Sequence, residues 1–156
     1  MFSNLRSLIF KFDPETAHNL AIKSLKFNFV PNILDTDRNN PLFKSKLFNK
    51  DLENPIGMAA GFDKNAEVYN SLFRLGFGFV EVGTITPLKQ YGNPKPRVFR
   101  LEEDEALINR LGFNNSGAEN IVHRIKSNKQ IGLLGINIGP NKDSENRLED
   151  LSLIHI

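Results

Sequence analysis

Polar side chains that could bind a ligand follow three short apolar runs of this chain. Lys64, Thr84 and Asn137 each lie where such a run ends. Because parallel strands deliver their carboxyl ends to one edge of a sheet, we expect these side chains to meet there. They supply a fixed cation, a hydroxyl and an amide that both donates and accepts hydrogen bonds. The alternatives are an exposed lysine at a helix start and two ordinary polar groups in turns or at the sheet rim.

The apolar runs alternate with helical patterns, and this order predicts a parallel α/β sheet whose helices cover its faces. The first predicted helix ends at Gly76. The second opens at a capping box formed by Ser116 and Glu119. The predicted strands are residues 56–60, 79–83 and 133–138, and the first helix spans residues 65–75.

The N-terminal part, residues 1–30, is predicted to form two short helices, the second of which begins at Asp13–Pro14. Apolar stripes at helical spacing allow two interpretations: a hairpin that packs on its own domain, or a pair of helices that lie on a membrane surface. The stripes are Phe2, Leu5, Leu8, Ile9 and Phe12, then Ala17, Leu20, Ala21, Leu25 and Phe29, and the flanking cations are Arg6, Lys11, Lys23 and Lys26.

The remaining segments connect these units. Residues 31–45 are predicted to be a linker, and residues 46–52 a short two-stranded ribbon. The connection 87–115 is longer than the usual strand-to-helix loop of about 2–6 residues, and it contains a predicted hairpin around the acidic turn 102–105. Long insertions at strand ends commonly build a site.

Composition narrows the possible functions. The 156 residues suffice for one ordinary domain, whereas a complete (β/α)8 barrel needs about 250. A net charge of +2 does not indicate a basic surface for nucleic acid. The absence of cysteine excludes disulfides and thiolate metal sites. His18, His123 and His155 lack the clustered spacing of a metal site. No apolar stretch approaches the roughly 18 residues of a membrane span, so the chain is expected to be soluble or peripheral.

Two segments carry a family resemblance: NPIGMAAGFDK at residues 54–64 and INRLGFNN at residues 108–115. Together they resemble the dihydroorotate dehydrogenases of the membrane-associated, quinone-reducing class. The resemblance runs from about residue 1 to residue 150. It implies an α/β fold in which residues 46–150 are the N-terminal part of an FMN-binding (β/α)8 TIM barrel, preceded by a two-helix membrane-associated segment at residues 1–30.

The resemblance also implies roles for individual residues. In this family the first motif and two strand ends contact flavin mononucleotide (FMN), and the second motif binds the substrate. The implied FMN-binding residues are Ala60, Gly61, Phe62, Asp63, Lys64, Thr84 and Asn137. The implied substrate-binding residues are Lys64, Asn109, Arg110, Leu111, Gly112 and Phe113. The family's catalytic base, a serine after the fourth barrel strand, is expected to lie beyond the C-terminus of this chain, and no metal is implied.

The implied reaction is FMN-dependent oxidation of (S)-dihydroorotate to orotate, with a membrane quinone as electron acceptor, in pyrimidine (UMP) biosynthesis. The implied location is the cytoplasmic face of a bacterial inner membrane, as a peripheral protein. One alternative is a non-catalytic fragment with residual affinity for membrane surfaces. Another is a different flavin- or phosphate-binding barrel enzyme that shares only the fold.

The last six residues, LSLIHI at 151–156, depart from the family pattern. The DNA sequence CTGTCTCTTATACACATC encodes them, and it resembles the transposase adapter end used in sequencing libraries. We therefore expect residues 151–156 to be a non-native tail on an interrupted gene product. The alternative is the apolar start of a native helix.

Overall fold

The computed structural model describes residues 6, 9–27 and 41–155. Its described part alternates strands with helices, as the sequence predicts. In chain order the elements are α1 (Pro14–Lys26), β1 (Ser45–Leu47), β2 (Lys50–Leu52), β3 (Gly57–Met58), α2 (Tyr69–Arg74), β4 (Phe79–Ile85), β5 (Val98–Leu101), β6 (Ala106–Asn109), α3 (Ala118–Ser127), β7 (Leu133–Ile138) and α4 (Arg147–Leu151), with short 3-10 segments at Pro41–Phe43 and Ser152–His155.

Strands β3, β4 and β7 form a parallel sheet in that order. Gly57 pairs with Phe79, which in turn pairs with Leu133, so all three strands run the same way. This confirms the predicted parallel α/β arrangement, and it places the carboxyl ends of the three strands at one edge. The antiparallel ribbon β1–β2 and the hairpin β5–β6 are confirmed as separate two-stranded sheets.

The hydrophobic core lies on one face of this sheet. Alternate residues of β4, Val80 and Val82, are buried there against Leu72 of α2 and Ile121 of α3. This alternation follows from the two-residue period of a strand. The opposite face of β4 carries half-buried side chains, among them Glu81 and Thr84.

Helix α1 packs against the body through one face. Asp13 caps it as predicted, and the Asp13 Oδ1 atom accepts a hydrogen bond from the Thr16 N–H at 3.0 Å. Ile22 and Leu25 pack against the core, whereas Leu20 and Phe27 are exposed. Within the described ranges, no helix is long and apolar enough to cross a membrane. Most of the first predicted helix lies outside the described residues.

Three local predictions are wrong in detail. The helix predicted at residues 65–75 comprises only Tyr69–Arg74, because the Asp63 side chain accepts hydrogen bonds from the Glu67 and Val68 N–H groups and fixes a turn before it. The predicted capping box does not form, since the Asn115 Oδ1 atom accepts a hydrogen bond from the Gly117 N–H instead. The strand predicted at residues 56–60 is reduced to β3, and Ile56 is exposed.

The remaining domain boundaries stay predictions. Residues 31–40 of the predicted linker lie outside the described residues, and residues 41–45 contain a 3-10 turn and the start of β1. Of the predicted non-native tail, Leu151 ends helix α4, Ser152–His155 forms a 3-10 turn, and Leu153 packs against the core.

Burial of Ile121 gives a test of this core. Ile121 is 0% exposed, so Ile121→Ala should lower the free energy of unfolding by about 2–5 kcal/mol in urea titrations. Ile131→Ala is the matched control, because Ile131 is 51% exposed and its truncation should change stability by less than about 0.5 kcal/mol. Equal losses for the two variants would contradict the described core.

Candidate active site

The three parallel strand ends meet at the backbone of Gly83. The Gly83 N–H donates to the Asp63 carbonyl at 3.2 Å, and the Gly83 carbonyl accepts from the Gly61 N–H at 2.9 Å. Gly83 has a φ of +111°, and a Cβ atom there would overlap the carbonyl oxygen of Asn137. Only glycine permits this approach without strain. The ends of β3, β4 and β7 therefore meet at Gly83, where no side chain fits.

A row of polar side chains lies beside this junction. The Thr84 hydroxyl donates to the Asn137 Oδ1 atom at 2.6 Å, and the Asn137 Nδ2 atom donates to the Glu81 Oε1 atom at 3.0 Å. The two predicted strand-end residues are thus brought together, and each is oriented by its neighbour. The Thr84 oxygen and the second N–H of Asn137 retain hydrogen-bonding capacity for a ligand.

Asp63 organises the turn after β3. Its carboxylate is 1% exposed and accepts hydrogen bonds from the Glu67 and Val68 N–H groups, each at 2.7 Å. Burial raises the pKa of Asp63, although these two hydrogen bonds oppose the shift. Its side chain therefore holds the loop, while its backbone is joined to the strand ends.

Lys64 lines a cavity of about 770 Å³ between α1, the hairpin β5–β6 and the loop after β3. Burial lowers the pKa of Lys64, and the charge of Arg97 lowers it further, whereas the charge of Glu15 opposes the shift. His18 also lines the cavity, with its ring edge on Phe62 at 5.2 Å between centroids. Burial lowers the pKa of His18, and the charge of Lys64 adds to this shift.

A bidentate ion pair between Glu15 and Arg97 joins α1 to the connection after β4. Glu15 accepts from the Arg97 Nη2 and Nε atoms at 2.7 and 3.0 Å, and the Lys95 Nζ atom lies 3.6 Å from the same carboxylate. The hydrogen bond from Arg97 holds the pKa of Glu15 below its ordinary value. The stabilisation from this pair is therefore fully present above that ordinary value, and it is lost as the pH falls through the lowered one.

The predicted substrate segment, residues 109–113, is held by its carbonyl groups. Hydrogen bonds reach the carbonyls of four consecutive residues, and no described residue accepts from the N–H groups of residues 111, 112 and 113. The donors are Asn93 Nδ2 to Arg110 O at 2.7 Å, Asn93 N to Leu111 O at 3.0 Å, Gln90 Nε2 to Gly112 O at 2.9 Å and Asn115 Nδ2 to Phe113 O at 2.8 Å. This pattern leaves consecutive amide N–H groups available for the oxygen atoms of a ligand.

Comparison with known proteins identifies the family. The sequence model described as "Dihydroorotate dehydrogenase" matches residues 42–154. The chain belongs to the dihydroorotate dehydrogenase family. It is 54% identical over 145 residues to a "Dihydroorotate dehydrogenase (quinone)" of Rhizobium etli strain CIAT 652, covering 93% of this chain and 40% of that protein. The relative from Agrobacterium fabrum is 50% identical over 151 residues, covering 96% and 41%.

Solved structures agree with the family match. DHODH from Eimeria tenella, in complex with ferulenol and ligand-free, superposes with a TM-score of 0.82 at 41% identity. These alignments cover 90% of this chain and 39% and 41% of the solved chains. The chain thus spans about 40% of the length of the relatives it matches. Membership of this family excludes the alternative of an unrelated barrel enzyme that shares only the fold.

The predicted family residues fall into three places in the structure. Lys64 and Asn109 line the same cavity, together with Gly61, Phe62, Asp63 and Leu111. Thr84 and Asn137 form the polar row at the strand ends, and Ala60 precedes Gly61 in the turn beside them. Gly112 and Phe113 lie in the carbonyl-held segment. The guanidinium of Arg110 donates to the Pro96 carbonyl at 3.1 Å, so this side chain is bound to the connection after β4.

Sequence reasoning missed several residues that shape the site. Glu15 and Arg97 lie 82 positions apart, so no local spacing could have paired them. Gln90 and Asn93 act through side-chain amides on carbonyls 22 and 17 positions away, and their only signal is an excess of amide residues in the connection after β4. Asn115 lies in the second family motif and acts on Phe113, two positions away.

The role assigned to Asp63 is testable on the chain itself. Asp63→Asn should lower the free energy of unfolding by about 1–3 kcal/mol, because an amide offers one acceptor oxygen where the carboxylate uses two. The exposed Asp51→Asn should change it by less than about 0.5 kcal/mol. Urea titration measures both. No loss in Asp63→Asn would mean that the carboxylate does not hold the turn.

Proposed function

We propose that this chain supplies the flavin and substrate faces of an enzyme that oxidises (S)-dihydroorotate to orotate with FMN and passes the electrons to a membrane quinone. The reaction belongs to pyrimidine (UMP) biosynthesis. The observation that carries the proposal is that Lys64 and Asn109, one from each family motif, line one cavity beside the converging strand ends. Because the chain spans about 40% of its relatives, the complete activity requires the rest of the barrel.

The strand ends fit the flat ring of FMN. A Cβ atom added at Gly61 would meet no heavy atom within 4 Å, so the turn after β3 leaves open space against its backbone. Ala60 and Phe62 flank Gly61 in this turn, and Thr84 and Asn137 offer hydrogen bonds at the neighbouring strand ends. When bound there, FMN supplies the acceptor for a hydride from the substrate.

Lys64 provides a fixed positive charge at this position. It is partly shielded from water, and a charge acts more strongly in such surroundings than in bulk solvent. With substrate and FMN bound, it would attract the carboxylate of dihydroorotate and stabilise the negative charge that builds on the flavin as the hydride arrives. A lysine at a strand end contributes little packing, so its role is electrostatic.

The substrate segment holds the pyrimidine by complementary hydrogen bonds. The Asn109 amide offers a donor and an acceptor to the pyrimidine edge. The N–H groups of Leu111, Gly112 and Phe113 have no acceptor among the described residues, and they serve substrate oxygen atoms. Because four carbonyls are already bonded, the segment is ordered before the substrate arrives.

The cavity also gives an apolar route for a quinone. Its walls include Ile9, Phe10 and Ile22 from the N-terminal part, and Leu101 and Leu107 from the hairpin β5–β6. Its lining also includes Gly61, Phe62 and Lys64. We propose that α1 lies on the cytoplasmic face of a bacterial inner membrane through Leu20 and Phe27, both exposed, with Lys23 nearby, whereas Lys26 forms an ion pair with Glu67.

The alternative function is that of a non-catalytic fragment that keeps affinity for membrane surfaces. The exposed apolar residues and lysines of α1 favour it, because they need no barrel to act. Flavin content separates the two: the fragment would bind lipid vesicles without retaining FMN.

The electrostatic role of Lys64 is tested in a chimera in which residues 1–150 replace the matching part of the Rhizobium etli relative. Lys64→Ala should slow anaerobic flavin reduction by dihydroorotate by on the order of 100-fold, measured by stopped-flow absorbance. The exposed Lys50→Ala should stay within about threefold of the unmodified chimera. Lys64→Ala within that same range would overturn the assignment.

The quinone route is tested by filling the cavity. Ala106 begins β6 and lines the cavity, so Ala106→Trp should raise the KM for a long-chain quinone by on the order of tenfold. Flavin reduction by dihydroorotate should change by less than about twofold, because Ala106 lies at the opposite end of β6 from Asn109, roughly 10 Å away along the strand. Leu148→Trp, on an exposed position of α4, is the control. An unchanged KM in Ala106→Trp would place quinone entry elsewhere.

A further inference from the structure

Arg97 contacts both the N-terminal helix and the substrate segment. The residue is 6% exposed, and two of its nitrogen atoms bind Glu15 of α1. The Nη1 atom donates to the carbonyls of Tyr91 at 2.7 Å, Asn93 at 3.0 Å and Leu111 at 3.5 Å. One guanidinium thus joins a helix at the edge of the cavity to a backbone carbonyl of the substrate segment.

Backbone contacts strengthen the same connection. The Arg110 N–H donates to the Arg97 carbonyl at 2.8 Å, and the Asn93 N–H donates to the Leu111 carbonyl at 3.0 Å. Gly92, the residue before Asn93, has a φ of +78°, and a Cβ atom there would overlap the Leu111 carbonyl. The loop 91–97 and residues 110–111 are therefore packed backbone to backbone around Arg97.

Glu15 is the counter-charge that makes this arrangement stable. A buried guanidinium without its carboxylate would keep an uncompensated charge, and it would shift toward water to regain solvation. Such a shift would withdraw the Nη1 atom from the three carbonyls. Arginine suits the position because its planar fork can serve a carboxylate and several carbonyls together.

We propose that Arg97 is a positioning residue that transmits the docking of helix α1, through Glu15, to the substrate segment, residues 109–113. Its consequence for substrate binding rests on the proposed function. The helix that borders the quinone route thereby sets the order of the segment that holds dihydroorotate. Displacement of α1 loosens the substrate site, and a bound substrate favours the docked helix by the same free energy.

Hydrogen exchange on the 156-residue chain tests the physical link without any ligand. Glu15→Gln keeps the size of the side chain and removes its charge. We expect exchange of the Asn93 and Arg110 amides to rise by about tenfold, because these amides bond to Leu111 and Arg97. Amides of β4, such as that of Val82, should change by less than about threefold.

Lys95→Gln is the matched control. Lys95 contacts the same carboxylate of Glu15 at 3.6 Å but is largely exposed, and it has no described contact with residues 109–113. Its exchange pattern should match the unmodified chain. Unchanged Asn93 and Arg110 amides in Glu15→Gln, or an equal rise throughout β4, would overturn the proposal. If Glu15→Gln does not fold, Glu15→Asp, which cannot span the same distance, is measured by the same criteria.

Orotate binding tests the consequence. In the chimera described above, orotate is titrated against the flavin absorbance in the absence of quinone. Glu15→Gln should raise the Kd for orotate by about fivefold, and Lys95→Gln should leave it within about twofold. Equal affinities in the unmodified chimera and Glu15→Gln would contradict the proposal. Failure of every chimera to bind orotate would instead reject the proposed function, and the exchange experiment would still decide the link through Arg97.

Discussion

The backbone of Gly83 joins the three parallel strands at the edge where the candidate site lies. Its N–H and carbonyl hold the turn after β3, and its missing side chain admits the Asn137 carbonyl from β7. The parallel register brings Thr84 and Asn137 within hydrogen-bonding distance, although they are 53 positions apart in the chain. The same junction fixes the start of the loop that carries Lys64. The roles proposed for Lys64, Thr84 and Asn137 depend on that convergence.

Side chains that hydrogen-bond to backbone groups order the loops around this junction. Asp63 holds the turn before α2, while Gln90, Asn93, Arg97 and Asn115 hold the carbonyls of the substrate segment. These residues act on loops that have no regular hydrogen-bonding partner of their own. Buried polar groups are costly unless they are satisfied, so such a network favours one loop conformation over its alternatives.

The sheet and its strand-end residues could be predicted from sequence because short apolar runs and helix-start signals are local patterns. Thr84 and Asn137 follow apolar runs of strand length, and the Asp13–Pro14 signal gives the start of α1 correctly. The failures arise where a distant or competing hydrogen bond decides the structure. Asp63 shortens α2, and Asn115 replaces the predicted capping box, because each supplies a nearer acceptor. Glu15 and Arg97 lie 82 positions apart, and no periodic pattern in the sequence indicates such a contact.

We propose that the strand ends of β3, β4 and β7 form the flavin face of the enzyme and that residues 109–113 form its substrate face. A crystal structure of the chimera with FMN and orotate tests this most directly. We expect electron density for the flavin ring against Gly61, Thr84 and Asn137, with orotate between that ring and Asn109 and its carboxylate near Lys64. A flavin ring located away from these strand ends, or orotate that makes no contact with residues 109–113, would contradict it.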